Sequence, residues 1–209
     1  MVLPPELARI HALIAAEGTL HYEKKNHAYM IHFTCFEREL CDLFSRDFVK
    51  IYGRKPYLRY ARGRVAGLKV CSKRAFQQLS ELGIRYESGL KVWEIPLAQL
   101  DKRSALYWIK AFFSGDGYLY WNPHKRDFEV TFFSCNLRGL KQLEILLRDF
   151  FNIENIRYNM SKPHGYQRLP IYMLRLRNKH DVLRFIRQIG SYRAKDNMKI
   201  REVIKFLSD

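Results

Sequence analysis

Hydrophobic and polar positions along the chain switch between two periods, and the switches come in the same order twice. Residues 6 to 16 carry apolar and small side chains at helical spacing, with Pro4 and Pro5 tolerable only at the first turn. Gly18 admits a turn into strands at 18 to 24 and 28 to 35, where aromatic and β-branched residues surround Lys25-Asn26-His27. Leu40, Leu43, Phe44, Phe48 and Ile51 then recur at helical spacing and predict an amphipathic helix from about 37 to 51. Strands at 56 to 62 and 65 to 71 flank Arg62-Gly63-Arg64, and a helix follows over 73 to 82. After residues 84 to 102, which read as a connector, the order returns. A helix ending near 116 leads to strands at 117 to 123 and 127 to 134, a helix at 137 to 151, strands at 155 to 160 and 169 to 177, and a helix at 179 to 189. A last helix, 195 to 207, has no counterpart in the first half. The expected fold is α+β, a tandem of αββαββα units over 1 to 83 and 103 to 209, each with a four-stranded antiparallel sheet.

The repetition extends to residue types. Leu-Ala-Arg-Ile-His-Ala-Leu-Ile-Ala-Ala-Glu-Gly at 7 to 18 aligns with Leu-Tyr-Trp-Ile-Lys-Ala-Phe-Phe-Ser-Gly-Asp-Gly at 106 to 117. Thr34 to Leu40 aligns with Ser134 to Leu140 at an offset of 100, against 99 for the acid-Gly pairs, so one residue is inserted in the second hairpin. Leu68 to Lys73 aligns with Leu174 to Lys179, placing Ser72 and Asn178 as helix N-caps.

Charge narrows the partner. The chain holds 37 Lys and Arg against 21 Asp and Glu, a net +16 that favours a polyanion, nucleic acid before membrane. Both halves share the excess: 16 basic and 11 acidic side chains lie in residues 1 to 101, and 21 and 10 in the remainder. Cys35, Cys41, Cys71 and Cys135 show no CxxC or zinc-ligand spacing, so they read as thiols of a reducing compartment. No leader pattern and no membrane-length apolar run occur, which predicts an intracellular protein of cytoplasm, nucleoid or organelle.

The candidate chemistry stands at the end of each half's first helix. Ala8, Ala12 and Ala16 recur every fourth residue, as do Ala111 and Gly115, giving each helix a smooth strip that lets two axes approach closely. Packed together, the helices would bring Glu17 and Asp116 side by side. Two such carboxylates repel unless a cation lies between them, which is the layout of metal-assisted phosphodiester hydrolysis.

Ile10 to Gly18 and Ile109 to Gly117 resemble the nonapeptide that names the LAGLIDADG homing endonucleases, and the αββαββα order extends the resemblance over nearly the whole chain. The resemblance implies a pseudo-twofold monomer whose motif helices form the interface and whose sheets form a saddle on double-stranded DNA. It implies Mg²⁺ at Glu17 and Asp116, with Mn²⁺ or Ca²⁺ able to occupy the same site, and main-chain ligands drawn from Ala16, Gly18, Gly115 and Gly117. Lys91 and Arg193 or Lys195 follow each half's last repeat helix, where the family places phosphate-stabilising cations; solvated surface charge is the other reading. His11 and Lys110 stand at small or apolar motif positions, and Ala15 and Ser114 replace the motif's first Asp. Cys35 and Cys135 hold places flanking the cleavage centre and read equally as small packed side chains.

Strand alternation would point Thr19, His21, Glu23 and Lys25, then His32, at the bases, with Arg59, Arg62, Arg64 and Lys69 on the second hairpin. The other half offers Tyr120, Asn122, His124, Lys125, Arg126, Arg157, Arg175 and Arg177. Because the halves differ at these positions, the target should be long and asymmetric. The competing readings are a non-cleaving DNA-binding regulator and an RNA maturase of the same fold; for the endonuclease, an intron-encoded, intein-borne or free-standing origin all fit the resemblance.

Overall fold

The first helix of each half is α1 (Pro5–Glu17) or α4 (Lys102–Asp116) in a computed structural model that describes residues 2–61, 63–87, 90–163 and 169–208. Prolines open α1, where their missing N–H groups cost nothing. A capping box opens α4: Ser104 N donates to the Asp101 side chain at 2.8 Å, and Asp101 N donates to Ser104 Oγ at 3.0 Å. Each helix ends on its acid and passes directly into a strand.

In the first half β1 (Gly18–Glu23), β2 (Ala28–Phe33), α2 (Arg38–Tyr52), β3 (Tyr57–Ala61), β4 (Arg64–Cys71) and α3 (Lys73–Glu81) follow. In the second, β7 (Gly117–Asn122), β8 (Asp127–Ser134), α5 (Leu137–Phe151), β9 (Ile156–Ser161), β10 (Ile171–Leu176) and α6 (Lys179–Gln188) repeat that order. The sheets are antiparallel, ordered β1-β2-β4-β3 and β7-β8-β10-β9. In both, the strand that leaves the acid is an edge strand. Ser72 and Asn178 cap their helices as expected, accepting from Ala75 N and from His180 N and Asp181 N.

One face of each sheet packs on helices. Phe33 stacks on Phe44 with centroids 5.0 Å apart, and Phe132 meets Phe113 and Phe185 edge-on at 5.4 and 5.6 Å. The opposite faces carry the polar members of each strand. Among the described residues no helix is long and apolar enough to cross a membrane.

Residues 84 to 102 are more than the plain connector expected. They form a hairpin, β5 (Ile84–Glu87) and β6 (Leu90–Trp93), then a short 3₁₀ turn over Leu97–Gln99. Strands of four residues are too short to announce themselves by alternation. Burial holds them in place, since Ile84 is fully enclosed and Trp93 lies so close to Gly139 of α5 that a Cβ there would come 2.3 Å from the ring. Asn136, the N-cap of α5, donates to the Trp93 carbonyl at 2.5 Å, and Ile95 N donates to Gln142 Oε1 at 2.7 Å. The hairpin therefore reaches from the first half onto the second.

The first residues of α7 (Ala194–Ser208) and the segment before it reach back the other way. Ala194 N donates to Glu39 of α2 at 2.9 Å, Lys195 pairs with Glu37, and the Tyr192 hydroxyl accepts from Arg9 at 3.2 Å. Arg9 itself grips buried Asp47 of α2 in a two-point ion pair.

Candidate active site and nucleic-acid interface

The small-residue strips bring α1 and α4 into contact along their length. Ala8, Ala12 and Ala111 are fully buried. At the shared end, a Cβ on Gly115 would stand 2.6 Å from Ala16 Cβ and 3.5 Å from Glu17 Cγ, so only glycine fits there. Higher up, Trp108 Nε1 donates to His11 Nδ1 at 3.0 Å while His11 Nε2 meets the Leu82 carbonyl at 3.1 Å. These partners fix a neutral, Nε2-protonated ring, and its complete burial pushes the His11 pKa down to about 4.

Close approach has an electrostatic cost at the acids. Loss of water and the neighbouring Glu17 charge push the Asp116 pKa up to about 7, against the pull of Lys91 and Arg193. Glu17, whose outer surface stays open to solvent, is raised by burial and lowered by the same two cations. Both carboxylates thus lack part of the positive charge they need.

The two cations reach the site from non-equivalent elements. Lys91, on β6, donates from Nζ to the carbonyls of Ala16 at 2.7 Å, Gly18 at 3.2 Å and Ile14 at 3.3 Å. Burial depresses its pKa, opposed by Asp116 and Glu17. Arg193, just before α7, donates from Nη2 to the Gly117 carbonyl at 2.7 Å. The glycine after each acid therefore presents its carbonyl to one cation. Lys195, the alternative to Arg193, turns away to Glu37 and does not join the acids.

A buried relay holds Arg193, and sequence reasoning missed it. Arg193 Nε donates to Asp196 Oδ2 at 2.6 Å, Ser191 Oγ donates to the same oxygen at 2.7 Å, and Ser191 Oγ lies 3.2 Å from Ser114 Oγ. Ser114 also accepts from Tyr192 N at 2.8 Å. The signal was Ser114 itself, a buried hydroxyl at the place where the motif carries its first Asp.

Core residues set which strand positions face away from the helices. Gly18, Leu20, Ile31, Phe33, Leu68 and Val70 face inward in the first half, so Thr19, His21, Glu23, His32, Lys69 and Arg59 share the opposite face. His32 stands among Arg59, Lys69 and His21, and its Nε2 is buried with no partner among the described residues. In the second half Leu119, Val130, Phe132, Leu174 and Leu176 face inward, leaving Tyr120, Asn122, Arg157, Arg175 and Arg177 outside. Lys25 lies in the 3₁₀ turn Lys24–Asn26 rather than on a strand face, because His27 adopts a left-handed conformation that closes the hairpin early. His124, Lys125 and Arg126 lie in the β7–β8 turn, with the Arg126 guanidinium 5.7 Å from the Phe206 ring centre. Arg64 opens β4, and Arg62 lies outside the described residues.

Comparison with known proteins fits this geometry. Residues 104–190 match the family model described as a LAGLIDADG-like domain. The homing endonuclease I-DmoI superposes with a TM-score of 0.64 at 15% identity, covering 88% of this chain and 90% of that one. The fold is the LAGLIDADG fold. I-WcaI, solved bound to its DNA recognition sequence, gives 0.62 at 18% identity, covering 96% and 88%. Full-length DUF199/WhiA from Thermatoga maritima gives 0.58 at 16% identity over 97% of this chain but 61% of that one. No curated protein matches the chain.

The departures from the LAGLIDADG spelling have local reasons. His11 is matched by Trp108, and Lys110 lies with its ammonium 4.8 Å from the Tyr192 ring centre. Ala15 is buried, and Ser114 serves the Arg193 relay. Cys35 is buried near Glu17, its Sγ directed at the Glu37 carbonyl at 3.7 Å, whereas Cys135 is exposed beside Asp116 and Lys91. Cys135, Asn136, Lys91 and Asp116 line a cavity of about 380 Å³ at this end of the motif helices. For a divalent cation the fitting donors are the Glu17 and Asp116 carboxylates, hard oxygens short of positive charge. The carbonyls of Ala16, Gly18 and Gly117 already accept from Lys91 and Arg193, and Gly115 contributes close approach. Among the described residues no cluster of three or more His, Cys, Asp or Glu side chains could hold a metal.

Proposed function

We propose that this chain is a monomeric, site-specific homing endonuclease that makes a double-strand break in a long asymmetric DNA target by metal-dependent phosphodiester hydrolysis. The observation that carries this reading is the convergence of Glu17 and Asp116, one from each half, at a point flanked by Lys91 and Arg193 and by the edge strands of both sheets. A duplex lying along the two polar sheet faces would bring its backbone to that point, and the net charge of +16 favours such a partner. Mg²⁺ held by the two acids, or Mn²⁺ or Ca²⁺ in the same place, would polarise the scissile phosphate and acidify its bound water. Lys91 and Arg193, already fixed by protein carbonyls, would offset the charge that builds on the phosphate without reorganising. Phosphate oxygens and water would complete the metal's shell.

The test is a randomised duplex library incubated with and without Mg²⁺, with the ends sequenced. Recurrent paired breaks that require Mg²⁺, and that Glu17→Gln or Asp116→Asn abolishes while binding survives, support the reading. No paired breaks, or cleavage indifferent to both substitutions, overturn it. The likeness to DUF199/WhiA favours a second reading, a DNA binder without cleavage, which the same library separates by retained binding without breaks.

A further inference from the structure

One carboxylate sits where a DNA-facing surface would least want it. Glu129 belongs to the outward set of β8, between Tyr120 on β7 and the strand that carries Arg175, yet it is only 7% exposed. Burial works against its charge, but Arg175, Thr131 and Arg177 together outweigh that and hold the carboxyl below its ordinary value. Arg175 Nε donates to Oε1 at 2.7 Å and Nη2 to Oε2 at 2.5 Å, a two-point fork. Thr131 Oγ1 donates to Oε1 at 2.5 Å, and Arg177 Nε lies 3.2 Å from Oε2. On the far side Asn159, with its amide oxygen turned inward, accepts from Arg175 Nη1 at 2.7 Å.

A guanidinium has five N–H groups, and these contacts use one on Nε, one on Nη2 and one on Nη1. One N–H remains on each terminal nitrogen. Guanine offers two acceptors, O6 and N7, on its major-groove edge, whereas adenine sets a donor beside its N7. The first half lacks this arrangement. Strand register makes Lys69 the counterpart of Arg175 and His32 that of Thr131, because Gly18 opposes Phe33 as Gly117 opposes Phe132. Met30 then occupies the place of Glu129. Among the described residues Lys69 has no carboxylate partner, and its ammonium is a swivelling point charge rather than a fork.

We propose that Arg175 reads a guanine in the half of the target that lies against the second sheet, and that Glu129 is the positioning residue that presets it. The inference rests on the DNA-binding reading above. It makes the two half-sites unequal: one column fixed by a braced fork, with no matching column in the other half.

The experiment selects duplexes with randomised positions on the full chain, in EDTA to prevent cleavage, and sequences the bound fraction. Wild type should show a guanine column that falls about tenfold in preference with Arg175→Lys and with Glu129→Ala, as expected for losing a bidentate base contact. Glu129→Gln, which keeps the shape and one acceptor, should restore part of the column. A guanine column unchanged in both Arg175→Lys and Glu129→Ala, with both variants folded by circular dichroism, overturns the inference while leaving DNA recognition intact. Failure of wild type to enrich any sequence overturns the DNA-binding reading and the inference together.

Discussion

Ala16 of the first motif helix and Gly115 of the second approach so closely that a methyl group on the glycine would stand 2.6 Å from the alanine's. Helix axes normally keep a full layer of side chains between them. This contact sets the separation of the two acids one residue further on. Gly115→Ala should therefore lower stability by about 1–3 kcal/mol through overpacking. The double change Ala16→Gly with Gly115→Ala should recover most of that loss in thermal melts, because the methyl group merely changes sides.

Asp116 follows a stability rule opposite to that of an ion-paired carboxylate. Its folded pKa, about 7, lies above its ordinary value of 3.8, so the folded state holds the proton more tightly. The stability this contributes is complete below 3.8 and is lost as pH rises through 7. In metal-free protein at pH 8, Asp116→Asn should raise stability by roughly 2 kcal/mol after allowance for solvent screening, or about 4–8 °C in Tm. Added Mg²⁺ should stabilise wild type and leave the variant unmoved. Calorimetry that finds the variant no more stable at pH 8 would contradict the repulsive pair.

His11 behaves in the reverse sense. Its folded pKa of about 4 lies below the ordinary 6.5, so its contribution is present above 6.5 and is lost as pH falls through 4. The full effect is on the order of 3 kcal/mol. His11→Leu should be less stable at pH 7.5, since Trp108 Nε1 and the Leu82 carbonyl lose their partner, yet its melting temperature should fall less steeply between pH 7 and 5 than that of wild type.

Asp196 braces Arg193 through Nε and, with Ser191, through the turn. Asp196→Asn should leave DNA affinity within about twofold while cutting single-turnover cleavage by about tenfold or more, the pattern of a lost transition-state interaction. Equal losses in binding and cleavage would point to a folding defect instead.

Much of this was legible in the residues. The order of elements, the caps at Ser72 and Asn178, and the meeting of the motif helices all follow from periods and small residues that act locally. Which cation serves the second half did not, because Arg193 and Lys195 lie two residues apart and only Asp196 and Glu37 decide their directions. The β5–β6 hairpin was invisible because its strands are held by Trp93 against Gly139, a contact between distant parts of the chain. The bracing of Arg175 likewise depends on register between β8 and β10, which no single strand's pattern specifies.

The hairpin and the α7 segment also say something about how such a molecule can be taken apart. The two halves repeat one plan through seven elements each, yet the cation beside each acid arrives on an unrelated structure, a β-strand in one case and a helix approach in the other. A chimera cut at the repeat boundary after α3 would sever Lys91 from the half whose carbonyls it binds. The separable unit is thus longer than the repeat, and grafts that swap halves should carry the first half through Trp93 and expect to rebuild its seat on α5.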